Sequence, residues 1–456
     1  MLACPRCGKS LDDAIAKEGT LAGPALQCAG CNVEFPQLGD VPFVWAEPQA
    51  ALSDWRNRWN FALAQISHEI AEAQSSDEML TSTTARLQHL QQNLQRYQDE
   101  LADLLGPLGI GQGPAEPNAR QTHLALRTRL PHHHHLLSYM ANVHRDWCWG
   151  DEENRLTLDV VVDSIATSAV PEVSSILVLG AGAGRLAYDL HRHLQPDVTY
   201  AVDSNPLLCL IGSRVSTGAA LTLTEFPLAP IDPTDSAVPR KLAAPAATEG
   251  LVFICADAMR LPFTPKSFDL VVTPWLIDVI DAPIAQCAMQ IARMLSPGGH
   301  WVNHGSIAFD GGIRSRLTVP EVHEVLANTG FEMRDTRDTK LPYLHSPASR
   351  QQRFETTHTF TAELVNAPGA KEFPRFKHLP DWIVVGKEPI PLSPNFQTQI
   401  TTTRIHAFIM SLIDGKRSIG DMATILEGQK LMSKEDAAQA IRNFLITMYE
   451  EAARSD

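Results

Sequence analysis

Ser175-Ile176-Leu177-Val178-Leu179-Gly180-Ala181-Gly182-Ala183-Gly184-Arg185 decides the fold. The first five residues form a short apolar run, the pattern of a strand buried on both faces. Glycines then break the run where a ligand must approach the backbone closely, and a helix pattern follows to Leu194. The same alternation continues outward. Tyr200-Ala201-Val202-Asp203 ends a second strand, and Leu251-Val252-Phe253-Ile254-Cys255 and Phe268-Asp269-Leu270-Val271-Val272 are two more. Strands and helices alternating over residues 175–310 predict an α/β protein with a parallel, Rossmann-like sheet. Residues 222–250, rich in Pro and Ala, interrupt the pattern and are expected to lie over the surface as an insertion.

A G-x-G-x-G turn after a strand suits NAD and S-adenosylmethionine alike. Asp203 ends the next strand, where a carboxylate accepts both hydroxyls of a ribose, and that too suits both. Three features favour S-adenosylmethionine. The loop Gly180 to Arg185 lacks the third-glycine spacing of the dinucleotide fingerprint. Asp257, in Cys255-Ala256-Asp257-Ala258, is placed after the third strand to accept from an adenine amino group. Leu295-Ser296-Pro297-Gly298-Gly299-His300-Trp301 gives the helix–turn–strand typical of class I methyltransferases. Gly180, Gly182, Gly184, Arg185, Asp203 and Asp257 are therefore the candidate cofactor residues.

The eight cysteines divide unevenly. Cys4, Cys7, Cys28 and Cys31 form C-x2-C, twenty intervening residues, then C-x2-C. Two such knuckles supply four thiolates for a tetrahedral, structural zinc. Residues 1–46 are too few to fold on apolar area alone, so the metal would hold the ribbon together. Phe35-Pro36-Gln37-Leu38-Gly39-Asp40-Val41-Pro42 resembles the turn of zinc ribbons that accompany methyltransferases. Residues 1–51 hold three basic and six acidic residues, which favours a scaffold over a nucleic-acid reader. Cys148, Cys209, Cys255 and Cys287 stand singly, as buried thiols do in a reducing cytosol.

Residues 52–106 carry Leu, Ile and Trp at helical spacing, and Leu87, Leu90, Leu94 and Leu101 suit one apolar stripe. Core packing is its default role, and an oligomer through these helices is the alternative. Gly106 to Pro117, with three prolines and four glycines, predicts a loop. His132 to His135 are adjacent, and neighbouring side chains on a helix do not converge on one ion. The segment from 390 to 456 predicts three short helices in a winged-helix-like module, with Ser418 opening the second and Ser433 capping the third. Its Ile413-Asp414-Gly415-Lys416-Arg417-Ser418-Ile419 resembles the peptide-binding chaperone modules of pyrroloquinoline-quinone biosynthesis.

The whole chain has 456 residues, 44% of them apolar, and a net charge of −14. That is ample for several cores and excludes wholesale disorder. The acidic balance argues against nucleic acid as the partner. No apolar run is long enough to span a membrane, and the N-terminus is not patterned as a signal peptide, so a cytoplasmic location is expected.

Over roughly residues 140–387 the sequence resembles the carnosine N-methyltransferase family. Arg145-Asp146-Trp147 is similar to its arginine–aspartate–tryptophan segment, with Arg155 following, and Leu179 to Ala187 to its glycine loop. Leu276-Ile277-Asp278 is similar to its phenylalanine–isoleucine–aspartate element, and Pro297-Gly298-Gly299-His300-Trp301-Val302-Asn303 to a later strand. Leu317-Thr318 to Gly330-Phe331 follows its helix. The resemblance implies a methyltransferase domain over 120–387, with Arg155, Gly180, Asp203 and Asp257 on S-adenosylmethionine. It puts Ala258 and Pro274 at cofactor-lining positions where the family has an aromatic residue and a cysteine. It also implies that Asp278 contacts an acceptor imidazole of a small molecule, peptide or protein, with His304 near Phe309, the position of a family histidine. A carboxylate on one imidazole N–H fixes the tautomer whose other nitrogen attacks. The rivals are an rRNA or tRNA methyltransferase with a zinc ribbon, and a non-catalytic peptide-binding scaffold.

Overall fold

The computed structural model describes residues 1–15, 24–74, 80–108, 136–280, 282–309, 315–366, 392 and 394–453. His132 to His135 and most of the predicted 106–117 loop lie outside them. The chain divides into two compact units, Met1–Gly369 and Ala370–Asp456.

The first unit begins with a four-stranded antiparallel ribbon, β1 (Asp12–Ile15), β2 (Pro24–Cys28), β3 (Val33–Leu38) and β4 (Val41–Pro42). Helices α1 (Pro48–Glu72) and α2 (Thr81–Leu105) follow. Trp55 and Trp59 of α1 and Leu94, Tyr97, Leu101, Leu104 and Leu105 of α2 join the same apolar core as the central sheet. The inner part of the predicted leucine stripe is thus packed within the chain. Leu87 and Leu90 are half-buried.

A short helix α3 (Met140–His144), a π-turn (Arg145–Trp149) and α4 (Asp151–Thr167) lead into the sheet. Its elements are β5 (Ser175–Leu179), α5 (Arg185–Leu194), β6 (Val198–Asp203), α6 (Pro206–Ser216), β9 (Leu251–Cys255), β10 (Phe268–Pro274), α7 (Ile284–Met294), β11 (Leu295–Gly305), α8 (Val319–Asn328), β12 (Phe331–Tyr343) and β13 (Arg353–Leu364). The strand order is β12-β13-β11-β10-β5-β6-β9. β9, β6, β5, β10 and β11 run parallel, while β13 lies antiparallel between β11 and β12. This is the class I methyltransferase sheet. From β5 the chain winds outward through β6 to β9, then returns to the other side of β5 as β10. The carboxyl ends of β5 and β10 therefore flank the crevice where open α/β sheets bind ligands.

About half of the 222–250 segment is exposed, and part of it is ordered against the core. It forms a hairpin, β7 (Leu221–Glu225) and β8 (Val238–Leu242), which buries Leu223, Thr224, Glu225 and Leu242. Glu225 pairs with Arg240 across the hairpin at 2.8 Å, which compensates a buried charge. Glu100 of α2 accepts the Thr224 N–H at 2.8 Å and locks the hairpin to the helices.

The second unit contains α9 (Pro394–Ser411), α10 (Ile419–Gly428) and α11 (Lys434–Ala453). Ile409, Leu412, Met422, Leu426 and Ile441 form its own core. The Asp414 carboxylate accepts the Lys416 and Arg417 N–H groups in the turn, and Ser418 with Asp421 closes a capping box. Ser433 Oγ accepts the Asp436 N–H at 3.2 Å. No strand accompanies the three helices among the described residues.

Candidate cofactor and acceptor site

The glycine turn sits at the end of β5. Gly180, Gly182 and Gly184 have φ of +68°, +58° and +85°, a region that side chains rarely adopt. The three glycines serve different ends. A Cβ on Gly184 would meet the Phe253 ring, and one on Gly180 would stand 2.9 Å from Leu276. A Cβ on Gly182 would meet nothing within 4 Å. Gly180 and Gly184 are therefore needed for protein packing, whereas Gly182 presents bare backbone to open space, as a cradle for a ligand requires.

The arginine–aspartate–tryptophan segment forms the π-turn and braces this loop. Trp147 Nε1 donates to the Ala183 carbonyl at 3.0 Å, and Arg185 Nη1 donates to the Asp146 carbonyl at 2.7 Å. Arg145 donates twice to Asp146 Oδ1, and Asn154 closes the turn by donating to the carbonyls of Arg145 and Asp146. A π-bulge of this kind re-aims side chains beside a functional site. Two expected cofactor residues are engaged by protein groups. Arg155 is turned outward on α4 and pairs with Asp159 at 2.8 Å, because Asn154 takes the inward position. Arg185 is occupied by Asp189 and Asp146 and buttresses the loop from behind.

Asp203 ends β6, facing the turn. Its Oδ2 accepts the Gly182 N–H at 2.8 Å and its Oδ1 the Asn205 N–H at 2.9 Å. Its pKa is raised, because burial outweighs the backbone donors that favour the charged form. A carboxylate has about four acceptor positions, so both oxygens retain capacity for ribose hydroxyls. Asn205 caps α6 through the Leu207 N–H and also donates to the Leu136 carbonyl. Asp257 follows β9. Its Oδ1 accepts the Met259 N–H at 2.8 Å, and burial raises its pKa. Ala258 is half-buried beside it, and Pro274 is buried at the end of β10 opposite His304.

Asp278 lies in the turn after β10 and is 8% exposed. Its Oδ2 accepts from Ser306 Oγ at 2.5 Å and from the Ala308 N–H at 3.0 Å. Its Oδ1 is buried and has no hydrogen-bond partner. It caps no helix, since α7 begins at Ile284 with Pro283 in the cap position. A buried carboxylate oxygen without a donor costs energy, and a ligand N–H would supply one.

His304 is wholly buried within β11. Its Nδ1 is hydrogen-bonded to Thr359 Oγ1 at 2.9 Å, and the Trp275 ring stands edge-on at 6.1 Å. The structure places it within the sheet beneath Trp275. The Trp301 and Asn303 side chains of the same strand form a buried chain: Trp301 Nε1 donates to Thr273 Oγ1, which donates to Asn303 Oδ1, and Asn303 Nδ2 donates to the His358 carbonyl. That motif tightens β10, β11 and β13 against one another.

Three aromatic residues that sequence reasoning missed complete the site. Trp275 follows β10 in a left-handed conformation, φ +50°, rare for a bulky residue. Its ring packs on Tyr343 at 4.7 Å, and Tyr343 lies under Arg353 at 4.5 Å and accepts from Asn142 Nδ2 at 3.2 Å. Burial first, then the charges of Asp203 and Asp278, push the Tyr139 phenol up. Tyr139 therefore stands within electrostatic reach of both carboxylates. The positive φ of Trp275 follows no sequence signal, and the contacts of Tyr139 and Tyr343 join positions far apart in the chain.

Burial pushes His144 and His304 each down to about 4. Both rings are thus neutral across the physiological range. A depressed imidazole pKa contributes stability that is complete above the unfolded value, about 6.5, and is lost as pH falls from there toward 4. The loss is roughly 3 kcal/mol apiece once both states are protonated. In an NMR titration the ring resonances of His144 and His304 are expected to stay still from about pH 7.5 to 5.5, where an unperturbed imidazole moves. Movement centred near 6.5 would contradict their burial.

In the N-terminal ribbon, the Sγ atoms of Cys4, Cys7, Cys28 and Cys31 all lie within 4.8 Å of one another. Cys7 and Cys28 are 3.5 Å apart, close to the roughly 3.8 Å edge of a tetrahedron with metal–sulfur bonds of about 2.3 Å. Four convergent thiols in this arrangement fit a metal ion.

A methyltransferase domain model matches residues 212–302, which include Asp257, Pro274, Asp278 and the Pro297-Gly298-Gly299 turn. No curated protein matches the chain. Among solved structures, the N-methyltransferase NodS from Bradyrhizobium japonicum, in complex with S-adenosyl-L-homocysteine, is 14% identical with a TM-score of 0.32, over 48% of this chain and 92% of its own. A methyltransferase of the S-adenosylmethionine-dependent type from Methanosarcina mazei is 15% identical with a TM-score of 0.31, over 44% and 96%. The matched methyltransferase domain model falls within the sheet whose strand order is given above, and the first unit has the class I methyltransferase fold.

Proposed function

We propose that the chain methylates a ring nitrogen of a neutral imidazole, carried by a small molecule, a peptide or a protein. The observation that supports this most is the unpartnered, buried Oδ1 of Asp278 beside the crevice between β5 and β10. A neutral imidazole offers one N–H and one lone pair, on opposite sides of the ring. If Asp278 accepts the N–H, the other nitrogen is held as the nucleophile. Bound S-adenosylmethionine supplies an electrophilic methyl group on sulfur. As positive charge builds on the ring, the bond to Asp278 becomes charge-assisted and strengthens, so the gain falls in the transition state. Ser306 and Ala308 hold the carboxylate still from its other oxygen. Trp275 and Tyr343 offer an aromatic wall for a flat ring. The likeness to the carnosine N-methyltransferase family over 140–387 supports the same acceptor class.

In this reading the bare backbone at Gly182 lies along the cofactor, Asp203 accepts from its ribose and Asp257 from its adenine. The four-thiol cluster holds one structural zinc. Asp203→Ala is expected to weaken cofactor affinity by roughly 1.5–3 kcal/mol, the range for losing a charged hydrogen-bond partner. The substitution also frees the Gly182 N–H, so the upper end of that range is expected. Calorimetry with S-adenosyl-L-homocysteine checks it, and unchanged affinity would remove Asp203 from the ribose site.

A further inference from the structure

We propose that the two ends of the N-terminal ribbon position the turn that receives the adenine, making Met1 to Ala3 and Phe43–Val44 positioning residues for a ligand they do not touch. The inference rests on the assignment of Asp257 to the adenine. The Asp257 turn is short: the Met259 N–H donates to Asp257 Oδ1 at 2.8 Å and the Arg260 N–H to the Asp257 carbonyl at 3.0 Å. The ribbon grips it on both flanks. Before the turn, the Val44 N–H donates to the Cys255 carbonyl at 2.9 Å, and Phe43 bridges Cys255 in parallel. After it, the Ala3 N–H donates to the Pro262 carbonyl at 2.8 Å, the Thr264 N–H donates to the Met1 carbonyl at 2.9 Å, and Leu2 bridges Phe263. Phe43, Cys255 and Phe263 are fully buried, so both grips are anchored in packed core.

Edge protection alone does not account for this arrangement. β9 is the last strand of the sheet, and an open edge invites pairing with other chains, which the Phe43–Val44 contact prevents. That purpose needs no second grip beyond the turn, at residues 262–264. A double clamp spanning Asp257 constrains where its carboxylate can stand. The ribbon's thiol cluster connects to both grips. Met1 to Ala3 run directly into Cys4, and Phe43–Val44 follow β4, whose partner β3 follows Cys31.

Coupling between sites is reciprocal, so a ligand that the ribbon helps to position must in turn tighten the ribbon. Hydrogen exchange on the whole zinc-loaded chain, with and without saturating S-adenosyl-L-homocysteine, reads this directly. The Ala3, Val44 and Thr264 amides are expected to slow by about five-fold or more, the lower end of typical coupling. Protection of Gly182 and Asn205 with Ala3 and Val44 unchanged would overturn the inference while leaving the cofactor reading intact. No protection anywhere would reject the cofactor reading and this inference with it. As a second measurement, Val44→Pro removes the N–H that Cys255 accepts. Adenosine and S-adenosyl-L-homocysteine should then lose affinity by the same factor, about five-fold or more, because the shared nucleoside is what the clamp positions. Unchanged adenosine affinity in a folded V44P would contradict the proposal.

Discussion

Asp278→Asn is expected to cut methyl transfer by about 100-fold or more and to leave cofactor binding nearly intact. The scale follows from the loss seen when the carboxylate that orients a catalytic histidine is neutralised. The geometry explains why the change is selective. Ser306 Oγ and the Ala308 N–H donate to Oδ2, so that oxygen must remain an acceptor, and an amide satisfies this by placing its carbonyl there. The NH2 group then occupies the Oδ1 position, where the carboxylate has no donor partner. A donor now faces the imidazole N–H and selects the wrong tautomer or repels the ring. The cofactor contacts assigned to Gly182, Asp203 and Asp257 do not involve Asp278. Single-turnover methyl transfer alongside calorimetry separates the two effects. Equal loss of binding and turnover would instead mean that Asp278 holds the cofactor.

Cys28→Ser is expected to release zinc and unfold the ribbon. Cys28 is fully buried at the end of β2, with its sulfur 3.5 Å from that of Cys7. A four-thiolate zinc contributes on the order of 10–16 kcal/mol of apparent binding free energy in small domains, and that energy is folding energy there. Among the described side chains β1 to β3 bury few apolar groups, chiefly Ala25, Leu26, Phe35 and Leu38, so little remains to hold them once the metal leaves. Metal analysis should find one zinc per chain in the wild type and none in the variant, with amide protection lost over β1 to β3. Metal-free wild-type protein with a protected ribbon would refute the zinc assignment.

Most of the sheet was legible because its strands are short apolar runs stopped by a glycine, an aspartate or a proline. The runs ending at Leu179, Asp203 and Cys255 end as strands at those residues. The caps at Ser418 and Ser433 were legible for the same local reason: a hydroxyl and a carboxylate three residues apart close on one backbone turn. The resemblance gave Arg155 a position but not an orientation, and in the structure it faces outward and pairs with Asp159. In that turn of the helix Glu153 and Asn154 take the inward positions. The β7–β8 hairpin lacks a two-residue glycine turn and carries Pro239 within a strand, so its pairing had no local signal. Trp275, Tyr343 and Tyr139 gather at the acceptor end only through long-range packing, which neither periodicity nor spacing encodes. The double clamp of the ribbon on Asp257 is likewise a matter of which sheet edge the ribbon meets.

The most direct test of imidazole methylation supplies the zinc-loaded chain with S-adenosylmethionine labelled at the methyl group, a panel of imidazole compounds and peptides, and cell extract, and locates the label by mass spectrometry across a pH series. The proposed imidazole acceptor predicts label on a ring nitrogen, with a rate that falls below about pH 6.5 as the acceptor protonates and loses its lone pair. Label on an oxygen, carbon or amine acceptor, or a rate that stays flat down to about pH 5, would contradict an imidazole held by Asp278.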